Sequence, residues 1–272
     1  ALDAKKGTIL WTRNLIKDFQ GKRPMWGYSG SPLVVSEKMI IETGSPAGSL
    51  ICLDVKKGSL LWREGKNEAG YASPILNKSN EILIFNEFGL VIHDFKTGKI
   101  KKQYQHKTRY GINAAQPLIY GNNVFVSSAY GKGAALIDLT KRVPSAIWES
   151  EAYSCQMASL VRKGRYSFGI HGQAGGRSDQ SKLFCLDLET GKEKWSEKGF
   201  GLGTLVLVRD HLVILSDRGE ICLAEAHSEG FIEKARFPVL SGKNNWTPPT
   251  YVNGRMHCRS SSGSWVCLKM GQ

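Results

Sequence analysis

The sequence predicts an all-β protein, a β-propeller of four-stranded antiparallel blades with six blades in this chain. Three observations predict it. The segment Cys185-Leu-Asp-Leu-Glu-Thr-Gly-Lys-Glu-Lys-Trp195 reads as a strand, a tight turn closed by Gly191 and a second strand carrying Trp195. Its spacing returns as Cys52, Asp54, Gly58, Trp62 and as Ala1, Asp3, Gly7, Trp11, with partial copies at Ile92, Asp94, Gly98 and at Leu136, Asp138, Trp148. Self-similarity at about 40–50 residues with several short strands per unit is the signature of a propeller. Finally, short apolar runs separated by Gly-, Asn- and Lys-rich turns continue from end to end, and none is long enough to span a bilayer.

Taken in order, residues 1–14 supply a strand, the Lys5-Lys6-Gly7 turn and a second strand at 9–12. A polar connection, 15–30, follows. The first whole blade is read at 32–35, 39–43, 50–55 and 60–63, and the second at 74–76, 82–86, 90–95 and 100–104. The third is read at 117–120, 124–128, 134–139 and 146–149, and the fourth at 158–162, 166–170, 183–188 and 193–196. The fifth falls at 205–208, 212–216, 220–225 and 231–237. The sixth has three strands, at 250–252, 256–259 and 265–270. Its missing outer strand and the spare strand at 9–12 predict that residues 1–14 close the last blade (246–270), which makes residues 1–272 a single domain with no free sheet edge. The doubled third-type strand, 1–4 and 265–270, supports the other reading, that residues 1–11 are the tail of an upstream blade.

Each hairpin residue has a local reason. Glycine supplies the positive φ of a tight turn. Aspartate ends the strand and accepts from backbone N–H groups of that turn. Tryptophan buries a large apolar face on the neighbouring blade, worth about 2–3 kcal/mol. Asp3, Trp11, Asp54, Trp62, Asp187 and Trp195 are therefore read as structural docking residues, and none of these carboxylates as a catalytic acid.

Of the six cysteines, Cys52, Cys185 and Cys222 occupy equivalent strand positions in different blades. Such positions lie beyond the ~7 Å Cα limit of a disulfide, so buried free thiols are expected. Cys258 and Cys267 flank a turn and could face each other across a hairpin. No Cys or His spacing suggests a metal site. The Gly-rich segments 172–176 and 199–203 follow no parallel strand and read as blade loops, and His171 reads as a loop histidine.

Two surfaces are candidates. The connections that precede inner strands gather round one mouth of the channel and present Tyr28, Tyr71, Asn113, Gln156 and Trp246, aromatic faces and amides suited to a small ligand or peptide. On the opposite rim, turns carry Lys56, Lys57, Arg162, Lys163 and Arg165. With a net charge of +13, that rim is expected to be basic and to attract a polyanion or an anionic surface.

The hairpin resembles the tryptophan-docking repeat, Ala-x-Asp-x-x-x-Gly-x-x-x-Trp, of the PQQ-like β-propeller family. The resemblance extends to Gly70-Tyr-Ala-Ser-Pro74 and Asn245-Trp-Thr-Pro248. It implies an eight-bladed parent, trimmed here, and a periplasmic or extracellular place. The family includes quinoprotein alcohol and sugar dehydrogenases and the non-enzymatic propeller lipoprotein of the outer-membrane assembly machinery. This chain lacks the adjacent Cys-Cys pair of the dehydrogenases, and no residue matches their PQQ, calcium or catalytic positions. The expectation is a binding or assembly scaffold with no cofactor, no metal and a protein or peptide partner. The alternatives are a quinoprotein-type oxidoreductase using PQQ with calcium, and a binder of anionic carbohydrate through the basic rim.

Overall fold

Buried residues run almost unbroken along both the second and the third strands of most repeats, so these two strands are covered on both faces. The computed structural model describes residues 1–176 and 180–270. Its strands form six antiparallel sheets, five of four strands and one of three. The chain divides into two compact units, Ala1–Ile119 with Asp138–Ser145, and Tyr120–Ile137 with Ala146–Gln272.

In the first unit a short helix, α1 (Leu15–Phe19), follows the N-terminal segment. Asn14 caps it, its Oδ1 accepting from Ile16 N and Lys17 N at 3.0 Å. The first sheet is β1 (Leu33–Val35), β2 (Lys38–Ser45), β3 (Gly48–Asp54) and β4 (Leu60–Glu64). The second is β5 (Ile75–Leu76), β6 (Glu81–Phe85), β7 (Gly89–Asp94) and β8 (Ile100–Gln105). Ile40, Leu50 and Cys52 of the first sheet pack on Ile82 and Ile84 of the second. The other face of the first sheet, with Ile51 and Leu53, is covered by Phe19, Leu15 and Trp11.

The third sheet is β9 (Leu118–Tyr120), β10 (Asn123–Ser128), β11 (Gly133–Asp138) and β12 (Ser145–Ser150), most of it in the second unit. The fourth is β13 (Val161–Lys163), β14 (Tyr166–His171), β15 (Lys182–Asp187) and β16 (Lys192–Glu197). The fifth is β17 (Thr204–Val208), β18 (His211–Leu215), β19 (Glu220–Glu225) and β20 (Glu233–Pro238). The sixth is β21 (Thr250–Val252), β22 (Arg255–Arg259) and β23 (Trp265–Lys269). Phe168, Leu183 and Cys185 join Leu212, Ile214 and Cys222 in one core cluster, and Val213 and Ile221 join Met256 and Cys258 in another.

The repeated hairpin explains how neighbouring sheets lock. A register shift after Cys52, Ile92 and Cys185 sets Trp62, Lys102 and Trp195 directly opposite those residues. Asp54 Oδ1 accepts from Lys56 N (2.9 Å) and Lys57 N (2.7 Å), and Asp3 and Asp94 brace their turns in the same way. The turn glycine has a second duty. An added Cβ on Gly58 would stand 2.5 Å from Trp11 Cε3, on Gly98 2.4 Å from Trp62 Cε3, and on Gly191 2.8 Å from Trp148 Cδ2. Each indole lies against the bare backbone of the next turn. Its N–H then donates to the carbonyl after the turn aspartate, Trp11 to Val55 O at 2.9 Å and Trp148 to Leu188 O at 2.7 Å. Trp195 donates to His227 O at 2.8 Å. Lys102, standing in a tryptophan position, sends its Nζ to the equivalent carbonyl, Leu139 O. Trp62 is the exception, its Nε1 buried without a hydrogen-bond partner.

Among the described residues the sixth sheet has three strands. In the N-terminal segment Leu2 pairs with Ile9. Leu2 and Ile9 occupy the hairpin positions of Leu53 and Leu60, which pair in the first sheet, so the segment brings its own partner strand. The Cys258–Cys267 pairing is not made, and all six cysteines are free. Cys258 stands opposite Val266 and Cys267 opposite His257, which puts the two thiols on opposite faces of the sheet. Burial pushes the thiols of Cys155 and Cys185 up to about 12 and those of Cys222 and Cys258 up to about 11.

The packing of indole on glycine makes a stability prediction. Gly191 (φ +67°) lies under Trp148, whereas Gly121 (φ +58°) has open space about its missing side chain. Gly121→Ala should cost only the left-handed backbone penalty, about 1–2 kcal/mol, and Gly191→Ala that penalty plus overpacking, about 3 kcal/mol or more. Urea unfolding of the two variants checks this, and equal losses would contradict it.

Candidate functional site

The connections before inner strands were the sequence's candidate site, and each unit holds its own part. In the first unit Tyr28 is half-buried, and its hydroxyl donates to Thr43 O at 2.8 Å. Its pKa is raised by burial first and by the nearby Glu42 second. Tyr71 is tied to two loops. Its N–H donates to Asn113 O at 2.9 Å, its hydroxyl accepts from Trp26 N at 3.4 Å, and its carbonyl accepts from Ser29 Oγ at 3.1 Å. Asn113 is fully buried, its amide donating to Asn86 O at 2.6 Å and His106 O at 3.0 Å. It fastens the loop and presents no amide to a ligand.

In the second unit Gln156 is likewise committed. Its Nε2 donates to Tyr130 Oη at 2.9 Å and its Oε1 accepts from Ala174 N at 2.7 Å. This fixes the Gly-rich loop after β14, where Gln173 Oε1 accepts from Tyr130 N at 2.9 Å. His171 Nδ1 accepts from Ser154 N at 3.0 Å, and burial lowers its pKa, helped by Lys182. Trp246 is half-buried with its Nε1 enclosed and unpartnered.

Beside the exposed Lys22, Arg23 and Arg109, the first unit's loops hold three large apolar or aromatic side chains outward. Met25 is 85% exposed, Trp26 75% and Tyr110 60%. The hydrogen bonds of Tyr71 tie the loops carrying these three residues together. Nothing in the sequence distinguishes Trp26 and Tyr110 from Tyr71 as loop aromatics.

The rim cations are largely paired. Lys56 meets Glu37. In the second unit Arg165 binds Asp187 at 2.6 Å and Glu189 at 3.2 Å, and Lys163 binds Asp210 at 2.8 Å. Arg162 donates to Gly164 O at 2.8 Å and lies over the Tyr120 ring. Lys57 uses its backbone N–H on Asp54.

One acid, Glu42, lies among the first unit's loops without having been a candidate. Glu42 ends an apolar run, Met39-Ile-Ile-Glu42, where β2 departs from regular pairing with β3. Its Oε2 accepts from Gly70 N at 3.0 Å, whereas Oε1 is buried with no hydrogen-bond partner. Burial pushes the carboxyl up to about 8, against the opposing pull of the Gly70 N–H and the Asn86 side chain. The only signal in the sequence is an acid inside an apolar strand.

Comparison with known proteins places this geometry. The family model described as "Outer membrane protein assembly factor BamB" matches residues 1–197. The crystal structure of BamB from Moraxella catarrhalis superposes with a TM-score of 0.72 at 17% identity, covering 99% of this chain and 78% of that one. Quinohemoprotein alcohol dehydrogenase from Comamonas testosteroni superposes with a TM-score of 0.67 at 13% identity, covering 92% of this chain and 53% of that one. Among curated sequences, tetrathionate hydrolase from Acidithiobacillus ferrooxidans is 29% identical over 136 residues, 48% of this chain and 26% of that protein. The chain therefore spans about a quarter of the curated relative it matches.

Glu42 yields a pH prediction. Between its ordinary value of 4.5 and about 8, the unfolded chain releases this proton while the folded chain keeps it. Folding stability should therefore fall as pH rises through that window, by about 1.4 kcal/mol per unit at most. Glu42→Gln holds no proton to lose, so the variant should gain on the wild type steadily from about pH 5 to about pH 8. Urea midpoints across that range measure the gain, and a constant difference would refute the assignment.

Proposed function

The chain belongs to the β-propeller family described as "Outer membrane protein assembly factor BamB", and from that premise we propose that it is a non-enzymatic binding or assembly scaffold of the cell envelope, periplasmic or cell-surface, that engages a protein partner. The observation that carries this reading is the side-chain economy of the loops. Asn113 and Gln156 use their amides to hold backbone in place, while Met25, Trp26 and Tyr110 stay exposed on loops tied together through Tyr71. Exposed aromatic and Met side chains on a rigid support are the residues that dominate protein interfaces. Among the described residues no helix is long and apolar enough to cross a membrane. A polyanion is a poorer partner for this surface, since Lys56, Lys163 and Arg165 of the rim already face carboxylates.

A second reading, an enzyme, is favoured by the match to tetrathionate hydrolase and by the likeness to a quinohemoprotein dehydrogenase. Titration with PQQ and calcium, followed by absorbance and dye-linked alcohol oxidation, separates the readings. Saturable uptake with turnover would replace the scaffold.

The scaffold reading predicts that Trp26→Ala and Tyr110→Ala each lower recovery of the partner from envelope extracts about tenfold. Their melting temperatures should match the wild type, because both side chains are exposed. Undiminished recovery with both variants would place the interface elsewhere.

A further inference from the structure

The first unit contains a cavity of about 230 Å³ beside Glu42. Trp11 and Tyr28 contribute aromatic walls, and Ile41 and Leu53 aliphatic ones, while the exposed residues Ser29 and Ser31 lie at its edge. Glu42 is the one acid among the lining residues and Arg13 the one base. Arg13 is not its counter-ion. The guanidinium donates to Gly58 O at 2.7 Å and to Thr12 O at 3.0 Å. Lys22, on the adjoining loop, is paired with Glu68. Polar groups near Glu42 are the Gly70 N–H, which holds Oε2, the Asn86 side chain, and Tyr28, whose hydroxyl proton is directed at Thr43 O. Oε1 is left with none.

A buried carboxyl without countercharge is unfavourable by several kcal/mol when ionised and leaves a hydrogen-bonding group unused when neutral. Both defects are relieved by one kind of ligand. We propose that this cavity binds a small organic ammonium ion, its nitrogen against the Glu42 carboxylate and its apolar body against Trp11 and Tyr28. Aromatic faces attract cations as well as apolar groups, and rotation about the soft terminal torsion of glutamate brings Oε1 onto the incoming N–H. The apolar walls limit the ligand to a short stem with one charged end. This site adjoins the loops of the exposed surface, but its ligand is set by Glu42 and does not depend on whether that surface binds a protein.

The proton balance follows from the burial of Glu42. At neutral pH the empty protein carries a protonated carboxyl. The ligand arrives as its ammonium form, the carboxyl proton leaves to solvent, and a carboxylate–ammonium pair forms. Affinity should therefore rise with pH up to about 8, the value to which burial raises this group, and level off above it.

The test is calorimetric titration of the whole chain with benzylammonium and, separately, with benzyl alcohol, each in two buffers of different ionisation enthalpy. The expected result is saturable benzylammonium binding, about tenfold or more tighter than benzyl alcohol, with release of close to one proton per ligand near pH 7. Glu42→Gln should bind the two probes alike and release no proton. No saturable binding of benzylammonium, equal binding of the two probes by the wild type, or binding without proton release would each overturn the proposal. The proton count is read on the wild type, so it decides the matter even where the variant folds poorly.

Discussion

An indole resting on a bare glycine backbone, with its N–H on the carbonyl three residues earlier in the same turn region, is the contact the rest of this structure depends on. Each partner makes sense only beside the other. The ring needs a flat floor, and Gly58, Gly98 and Gly191 provide one because a Cβ at those positions would enter the rings of Trp11, Trp62 and Trp148. The turn needs positive φ, which the same glycines adopt at +63°, +76° and +67°. The aspartate ahead of the turn accepts from its backbone through Oδ1, which braces the floor under the ring. Lys102 shows which half of the contact is replaceable. Its Nζ reproduces the hydrogen bond to Leu139 O and gives up the apolar face.

This interlock was legible in the sequence because it repeats. Asp, Gly and Trp at fixed spacing in several copies leave one architecture that satisfies all of them, and the third strands followed from their unbroken apolar runs. The loops had no such redundancy. Asn113 and Gln156 were expected to face a ligand, yet each turns inward, because the backbone groups that bind them come from Asn86, His106 and Ala174, positions far enough along the chain that spacing says nothing about them. The rim misled for a related reason. Arg165 lies between Asp187 and Glu189, carboxylates of a different strand and turn, so counting cations along the sequence overstates the free charge. Glu42 was invisible because its burial depends on the Gly70 loop closing over it.

The N-terminal segment carries the same repeat. The pairing of Leu2 with Ile9 makes residues 1–14 resemble the outer half of a blade, with Trp11 laid on Gly58 of the first sheet just as Trp62 lies on Gly98. The interlocked sheets hold the frame; the loops that it supports carry an exposed aromatic surface, and β2 carries a buried carboxyl without countercharge.

The measurement that tests the interlock most directly is a double-mutant cycle on Trp148 and Gly191, read by urea unfolding. If the indole and the bare turn stabilise each other, Gly191→Ala should lose much of its effect once Trp148 is replaced by Ala, leaving a coupling energy of about 1 kcal/mol or more. Additive losses, with Gly191→Ala as damaging without the indole as with it, would contradict the account and reduce the glycine to a turn residue alone.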